Sequence, residues 1–569
     1  MKKIKIKFIL YIVLFFSTFN LIHAKNLDKY YDANNISDYF SGILSLNDNE
    51  YASSYEYLKN LRGLEDSHSY YSQLYQRSLI NLDKFYEAYI YSKRLEEKGI
   101  DSFESNLIIG VYYLKNKKFE NAKRYFQKLK FQKNKGIIED LISISLNNWI
   151  SLLSLDKEAG LSLIDQIPPR FENIKKIQNV FMHCYYDSET TNILFNELLS
   201  DKSIDFSRYA FFHAKYLHNN GKAKEARESL ELNLKLFPTN LLLGQYRLDL
   251  KNKKVKNFSD SFNCKNISDN TAELLYIASN ALSSQSAYVF SNFYLNLSKF
   301  LNENFISFET LHAENFYNLE QYDKAMKIYN KISKKGSVYD WHASKRISLI
   351  LANQGKDKES LNYLKKKYEK IKSPNVFQIY YYAKFLKNNK QFDESINYYT
   401  EVLNLISKDH YLYPKATDGR GVSYERLGKW DEAEKDLLNS LSVSPNQPYV
   451  INYLAYSWIE KGINIKKSLE ILKKANELKK NDGYIIDSLG WALFKLKKFK
   501  EAKKYLQLAV VLFPSDPIVN DHYADSLWMN NKNIQARYYW KYVLTLDEAE
   551  PELKNKIKKK LIFGPKVKL

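Results

Sequence analysis

Two groups of carboxylates in the sequence have a spacing that general acid–base chemistry could use. Asp482 and Asp487 form the first group, and Asp516, Asp521 and Asp525 form the second. Paired carboxylates act as acid and base when their environments separate their pKa values. Asp482 and Asp516, however, stand where a turn precedes a helix, and a carboxylate there is expected to cap the helix N-terminus. We therefore interpret these groups as structural.

The sequence contains no other pattern that is typical of catalysis or metal binding. The nine histidines form no H-E-x-x-H motif, and neither a G-x-S-x-G motif nor a glycine-rich phosphate loop occurs. His183 stands beside Cys184, but two ligands are too few for a metal site, and a packed helix position is the favoured interpretation. The sequence therefore predicts a protein without enzymatic activity, without a cofactor and without a metal site.

The stretch SLGWALFKLKKFKEA places a glycine and a tryptophan inside a helical apolar pattern. Glycine in a helix interior costs roughly 1 kcal/mol relative to alanine, so Gly490 needs a packing reason. Counted from Gly490 as position i, Ala502 stands at i+12, Ala509 at i+19 and Pro514 at i+24. We interpret Gly490 as a point of close helix packing and its neighbour Trp491 as a candidate recognition residue.

The same spacing of small residues recurs through the chain. Gly421 and Ala433 have the same i, i+12 relation. Gly421, Ala455, Gly490 and Ala524 follow one another with a period of about 34 residues. A repeat of this length predicts antiparallel helix pairs, A and then B, that stack on one another. The positions that we assign to the repeat are Gly42, Gly110, Ala122, Ala214, Ala226, Ala313, Ala325, Gly421, Ala433, Ala455, Gly490, Ala502, Ala509, Pro514, Ala524 and Ala536.

This period resembles that of tetratricopeptide repeats, and the resemblance covers nearly all of residues 37–548. The residues that carry it best are Leu489-Gly490-x-x-Leu493, Ala502-x-x-x-Leu506 and Pro514. The resemblance implies an all-α fold, an α-solenoid of about 13–15 helix pairs that form a right-handed superhelix. The chain also resembles the long exported tetratricopeptide-repeat proteins of proteobacteria, most closely over residues 418–548, and most of those proteins are assigned no reaction.

In repeats of this family, one face of each helix A lines a concave groove. The residues that the resemblance places there are Asn452, Tyr456, Tyr484, Asp487, Trp491, Phe494, Asp521 and Trp528. Aromatic rings supply contact area and the polar groups bind backbone amides, a combination that suits a peptide. Packing between neighbouring A helices is the alternative for Trp491 and Trp528. The family's carboxylate-clamp function is not expected, because Asp487 and Asp521 stand where cations would help.

Interruptions of the repeat suggest the domain organisation. Residues 251–270 lack helical apolar periodicity, so we expect an irregular connector there. The predicted segments are a signal peptide over 1–24, an N-terminal array over 25–250, the connector over 251–270, a C-terminal array over 271–548, and a capping helix with a basic tail over 549–569.

The N-terminal residues predict export. Four lysines before residue 8, the apolar run Phe8–Phe16 and a candidate cleavage site after Ala24 are typical of a secretory signal. Ile22 is bulky for this cleavage site, so an uncleaved inner-membrane anchor is the alternative. Cys184 and Cys264 do not follow the apolar run, which excludes a lipoprotein-type anchor, and the sequence leaves open whether they pair.

The chain carries a net charge of +21, with 86 Lys and Arg against 65 Asp and Glu. The charge is spread along a chain in which Lys, Asn, Ile, Tyr and Phe are all abundant, as expected from AT-rich DNA. Local clusters occur only at residues 251–256 and 556–560. We interpret the charge as solvated surface, and a functional basic face is the alternative.

These observations predict a non-enzymatic scaffold of the bacterial cell envelope, located in the periplasm. The expected partners are envelope proteins or peptide segments, captured in the concave groove, and not nucleic acid. Membrane association is expected only through an uncleaved signal or through a partner. The alternative function is an auxiliary, glycan-binding subunit of a cell-wall enzyme complex.

Overall fold

A computed structural model describes residues 33–132, 135–201, 204–252 and 261–565 of the chain. These residues form thirty α-helices, a few short 3₁₀ turns and no β-strand. The predicted signal peptide over 1–24 lies outside the described residues. The predicted all-α fold class is confirmed.

The chain divides into two compact units, Met1–Lys367 and Tyr368–Leu569. The helices that begin in the first unit are α1 (Ala33–Asn47), α2 (Tyr51–Lys59), α3 (Ser69–Asn81), α4 (Phe85–Glu97), α5 (Phe103–Lys115), α6 (Phe119–Phe131), α7 (Ile137–Ser151), α8 (Lys157–Ser162), α9 (Glu172–Tyr185), α10 (Thr191–Ser200), α11 (Ser207–Asn219), α12 (Ala223–Leu236), α13 (Leu241–Lys251), α14 (Ile267–Ser284), α15 (Tyr288–Leu301), α16 (Ile306–Asn318), α17 (Tyr322–Ile332), α18 (Ser337–Asn353) and α19 (Asp357–Glu369).

The helices of the second unit are α20 (Val376–Asn388), α21 (Phe392–Leu405), α22 (Tyr413–Arg426), α23 (Trp430–Val443), α24 (Pro448–Lys461), α25 (Ile465–Leu478), α26 (Gly483–Lys495), α27 (Phe499–Leu512), α28 (Pro517–Trp528), α29 (Asn533–Thr545) and α30 (Pro551–Phe563). Over both units the helices form antiparallel A–B pairs. Within the described ranges, α13 has no B helix, and α30 follows the last pair.

The small residues of the repeat lie where helix A approaches helix B most closely. A Cβ atom placed on Gly490 would lie 2.7 Å from Cγ of Leu506 on the facing B helix. At Gly42 the corresponding distance to Leu58 Cδ2 is 2.6 Å, and Gly110 is equally close to a ring on its B helix. Since real Cβ atoms do not approach other atoms so closely, these glycines allow a helix separation that a side chain would increase.

Serine at the second small position adds a hydrogen bond to this contact. Ser54 donates to the carbonyl oxygen of Gly42 at 2.9 Å, and Ser395 donates to that of Ala383 at 3.1 Å. In both pairs the residues are 12 positions apart, which is the spacing seen in the sequence. A buried hydroxyl must find a partner, and a carbonyl of helix A supplies one.

The turn between helix A and helix B uses a left-handed residue. Gly428 adopts this conformation with φ of 76° before α23, whereas Lys497 adopts it with φ of 60° before α27. The expected caps of the A helices are confirmed. The Asp482 carboxylate accepts a hydrogen bond from the Ile485 amide, and Asp516 accepts from the first residues of α28.

Residues of the predicted connector over 251–270 lie within the first unit, and residues 253–260 lie outside the described ranges. After them, α14 and α15 pack against three early A helices, α3, α5 and α7. Asn292 on α15 donates to the Tyr51 hydroxyl at 2.8 Å, and Phe300 stacks on Phe85 with ring centroids 4.3 Å apart. The first unit therefore covers part of its own early A-helix surface with a later helix pair.

Substitution of Gly490 by leucine is expected to destabilise the second unit by about 1–3 kcal/mol, because the new side chain must overlap Leu506. Hydrogen exchange of α26 and α27 in the full chain measures this loss. Gly244→Ala is the matched control, since a Cβ there meets only ordinary contacts, 3.5 Å from Val338. That control should gain roughly 0.5–1 kcal/mol in the first unit. Unchanged exchange of α26 in the leucine variant would contradict this packing.

Candidate functional site

The predicted groove residues lie on α24, α26 and α28, three consecutive A helices of the second unit. Trp491 on α26 is only 7% exposed. Its indole N–H donates to Glu460 Oε1 at 2.7 Å, and its ring stacks on His522 with centroids 3.9 Å apart. Phe494 covers the ring at 4.7 Å. These contacts favour the packing alternative for Trp491, and its contact with a partner stays a prediction.

Asp487 and His522 form a buried pair beneath this tryptophan. The imidazole Nδ1 lies 2.9 Å from Asp487 Oδ2. Burial is the largest single influence and opposes a charge on the ring, but Asp487 together with Asp521 and Glu460 outweighs it and raises the pKa of His522. The pair can therefore hold a proton on the ring, and Asp487 is oriented toward this partner.

Asp521 belongs to a second buried group that includes the C-terminal helix. Lys560 on α30 donates to both Asp521 and Asp525 at 2.8 Å, and the Trp540 indole N–H donates to Asp521 at 3.0 Å. Burial and the neighbouring Asp521 raise the pKa of Asp525 to about 7, although Lys560 opposes this shift. The expected capping helix therefore attaches through an ion pair, and Lys560 differs from the exposed lysines around it.

The other predicted groove residues are more accessible. Tyr484 is exposed and packs its ring on Phe513, and Trp528 is half-buried against Trp540. Asn452 and Tyr456 on α24 are half-buried. Asn452 Oδ1 is a buried acceptor that no donor of the described residues reaches. Of the eight predicted residues, these four are the better candidates for contact with a partner.

The first unit contains a concave site that the sequence interpretation missed. It is a groove of about 820 Å³ between A helices, with α9, α11 and α13 contributing one set of lining residues and α14, α16 and α18 another. Its apolar lining includes Ile174, Ile177, Leu242, Ile277, Leu311 and Tyr276. This volume lies within the range of about 300–1,000 Å³ that is typical of ligand pockets. We call it the first-unit groove.

Arg208 on α11 is one of three charged residues in the lining of the first-unit groove, with Asp205 and Glu314. Its guanidinium makes two hydrogen bonds of 2.7 Å to the Glu273 carboxylate and lies 3.9 Å from the Tyr276 ring. Burial is the largest single influence and disfavours the charge, but Glu273 together with Tyr276 and Tyr209 outweighs it and raises the pKa of Arg208. A buried pair of opposite charges of this kind fixes the position of the groove wall. The rest of the lining is mostly apolar.

The repeat spacing could have revealed the first-unit groove. Its lining residues Ile174, Arg208 and Leu242 follow one another at the repeat period, as do Ile277 and Leu311. Equal positions on successive A helices share a face, so the lining of one helix predicts that of the next. The small residues of the repeat are degenerate in this region, so its repeats are harder to recognise than the C-terminal ones.

Cys184 and Cys264 form a disulfide with a sequence separation of 80. Cys184 stands near the end of α9, and Cys264 lies shortly before α14. The bond therefore links the two helices that carry Ile177 and Ile277, which line the first-unit groove. A disulfide persists in oxidising compartments and is rare in the cytosol.

Comparisons with known proteins agree with the helix-pair architecture. A family model described as Tetratricopeptide repeat matches residues 311–548, and another of the same description matches residues 103–130. The chain is a tetratricopeptide-repeat protein. The match to residues 311–548 includes all eight predicted groove residues.

Curated relatives of this tetratricopeptide-repeat protein are themselves described by their repeats. The TPR repeat-containing protein PA4667 of Pseudomonas aeruginosa is 27% identical over 143 residues, which cover 24% of this chain and 22% of the relative. The TPR repeat-containing protein MJ1428 of Methanocaldococcus jannaschii is 26% identical over 269 residues, which cover 43% of this chain and 45% of the relative. The matches thus span less than half the length of either relative.

Solved structures of tetratricopeptide-repeat proteins match with low scores. The C-terminal part of a protein from Cytophaga hutchinsonii is 17% identical with a TM-score of 0.30, and covers 43% of this chain and 97% of its own. MamA from Desulfovibrio magneticus is 15% identical with a TM-score of 0.27, and covers 32% and 99%. Scores this low support no further argument.

Within the described part of this tetratricopeptide-repeat protein, no group of three His, Cys, Asp or Glu side chains is arranged to hold a metal ion. None of the described helices has the length and apolar character needed to span a membrane.

Proposed function

We propose that the protein is a non-enzymatic, protein-binding scaffold of the bacterial cell envelope. It captures an extended or helical segment of a partner between the A helices of its repeats. The observation that carries this proposal is the first-unit groove, which is concave, mostly apolar and lined by aromatic rings and a few polar groups. Such a lining suits peptide side chains, with the polar groups fixing the backbone.

The disulfide supports the envelope location. A bond between Cys184 and Cys264 requires an oxidising compartment, and the sequence before residue 25 has the features of a secretory signal. In a Gram-negative cell the periplasm meets this requirement. The proposed partners are therefore envelope proteins or segments of them.

Replacing Ile277 and Leu311 together by lysine is expected to weaken partner capture at least about tenfold, because two apolar residues of the groove lining would become cations. Crosslinking of the full chain in the periplasmic fraction, followed by identification of the captured protein, measures the effect. Ile193→Lys is the control, since Ile193 is exposed on α10 and does not line the groove. Normal capture by the double variant would contradict the proposed site.

The same assay tests the C-terminal residues as a second contact surface. Asn452, Tyr456, Tyr484 and Trp528 are the accessible members of the predicted set. If Tyr456→Ala with Tyr484→Ala abolishes capture while the groove variant binds normally, the second unit holds the partner.

Glycan binding is the second candidate function, because aromatic rings also stack on sugars. Cell-wall glycan fragments added to the purified chain should then shift its tryptophan fluorescence, and the shift should disappear in Trp528→Phe. An unchanged spectrum at saturating glycan would remove this candidate.

A further inference from the structure

The outward face of the B helices changes character along the second unit. Exposed positions on successive B helices are equivalent when they are one repeat period apart. The buried residues Ser468, Ala502 and Ala536 have the same spacing and define the opposite face of these helices. On α25 these exposed residues are Lys466, Glu470, Lys474 and Glu477. On α27 they are Lys500, Lys504, Leu508 and Val511. On α29 they are Ile534, Tyr538, Tyr542 and Thr545. The stripe is thus fully charged on α25 and half apolar on α27, and on α29 it holds an isoleucine, two tyrosines and a threonine.

The apolar part of this stripe is strongly exposed. Ile534 is 85% exposed, and Tyr538 and Val511 are each 70% exposed. Residues four apart on a helix lie one above the other, so Ile534, Tyr538 and Tyr542 form a continuous ridge. Apolar side chains scattered singly over a surface need no explanation, but a continuous ridge marks an interaction surface.

Several exposed residues near the ridge are basic, although Glu501, Asp547 and Glu548 are also exposed there. Lys500 and Lys504 continue the stripe on α27, and Lys541 lies beside Tyr542 on α29; all three are exposed. Beyond them, α30 exposes three lysines next to Ile562 and Phe563. The set of residues that we call the lipid face is Lys500, Lys504, Leu508, Val511, Ile534, Tyr538 and Tyr542.

We propose that the lipid face binds the surface of an anionic lipid bilayer. Its aliphatic side chains enter the boundary between headgroups and acyl chains, and its tyrosines lie at headgroup level, where amphipathic rings are favoured. Lys500 and Lys504 contact lipid phosphates, since basic side chains near an anionic surface each strengthen binding. None of the residues of the lipid face lines the first-unit groove.

The charges also argue against a second copy of the chain as the occupant. A two-fold contact places the same patch against itself. Lys500 and Lys504 of both copies would then lose water in one interface, and the lipid face contains no acidic residue that could pair with them. A bilayer with negative headgroups instead complements all of the cations on this face.

Vesicle co-sedimentation of the full chain tests the proposal. The chain should bind vesicles that contain phosphatidylglycerol more tightly than pure phosphatidylcholine vesicles, and high salt should weaken this binding. Ile534→Ser with Tyr538→Ser should weaken binding at least about tenfold through lost apolar insertion. Lys500→Gln with Lys504→Gln should weaken it by a similar factor at low salt and have little effect at high salt. Leu438→Ser, an exposed apolar position on α23, is the matched control.

A local probe separates this face from any other membrane contact of the chain. The chain's two cysteines are bonded to each other, so Tyr538→Cys introduces the one thiol for an environment-sensitive dye. Its fluorescence should shift to the blue with phosphatidylglycerol vesicles, whereas a dye on Leu438→Cys should not respond. Vesicle binding that is the same in all variants, with no shift at position 538, would overturn the proposal. Dimers lost in the Ile534 variant, without vesicle binding, would assign the face to a second copy instead.

Discussion

Loss of the Cys184–Cys264 disulfide is expected to lower the free energy of unfolding of the first unit by about 4 kcal/mol. The bond joins residues with a sequence separation of 80, so it removes a large amount of conformational freedom from the unfolded chain. The chain on the two sides of the bond is also held by buried aromatic residues, Phe181 and Phe262, and we expect this packing to remain without the bond.

Hydrogen exchange of the full chain with and without a reducing agent measures this effect, and Cys184→Ser with Cys264→Ser should reproduce it. Amides of α9, α11 and α14 should exchange faster after reduction, while those of α26 to α29 in the second unit serve as the internal control. Equal protection of α9 in both states would contradict the prediction.

The same bond has a consequence for binding, because α9 and α14 both line the first-unit groove. Ile174 and Ile177 come from α9, and Tyr276 and Ile277 come from α14. Holding the two helices together keeps the groove in a binding-ready shape, which reduces the entropic cost of capture. Reduced protein should therefore bind its partner more weakly even at temperatures where it remains folded.

The fold could be predicted from sequence because each repeat contains the residues that determine its own packing. Pairs of small residues such as Gly490 and Ala502 recur because each pair lies where two adjacent helices are in close contact. These contacts join residues that are close in sequence, and they recur in many repeats. A repeat that lacks part of the pattern can therefore be recognised from the repeats on either side of it. The packing of α14 and α15 on α3, α5 and α7 could not be predicted, because it joins residues more than two hundred positions apart, as with Asn292 and Tyr51.

The candidate site was predicted less well, since side-chain partners between repeats decide which groove positions stay open. The resemblance placed Trp491 on the groove face of helix A. The ring of His522 on the next A helix covers it, and Glu460 on the preceding one accepts its N–H. Neither partner belongs to the repeat pattern.

The sequence also predicted exposed lysines over residues 556–560, and only the structure distinguishes Lys560 from the others.

Lys560→Met is expected to destabilise the C-terminal end of the second unit by about 3–5 kcal/mol at neutral pH. The substitution removes the cation that pairs with Asp521 and Asp525, both of which are buried. A buried carboxylate without a partner keeps its desolvation cost and loses the compensating attraction. Lys559→Met is the matched control, because Lys559 lies on the same helix and is exposed.

The cost of Lys560→Met should depend on pH in a direction set by Asp525. Its pKa is raised to about 7 in the folded protein, above the ordinary value of 3.8, so the folded state holds a proton that the unfolded state releases. The contribution of this group to stability is therefore fully present below pH 3.8 and lost as the pH rises through about 7. Without Lys560 the pKa of Asp525 rises further, so the variant should be least stable near pH 8 and recover part of its stability near pH 5. Hydrogen exchange of α28 and α30 at both pH values measures this loss of stability. If Lys560→Met costs no more stability than Lys559→Met, the ion pair does not hold the C-terminal helix in place.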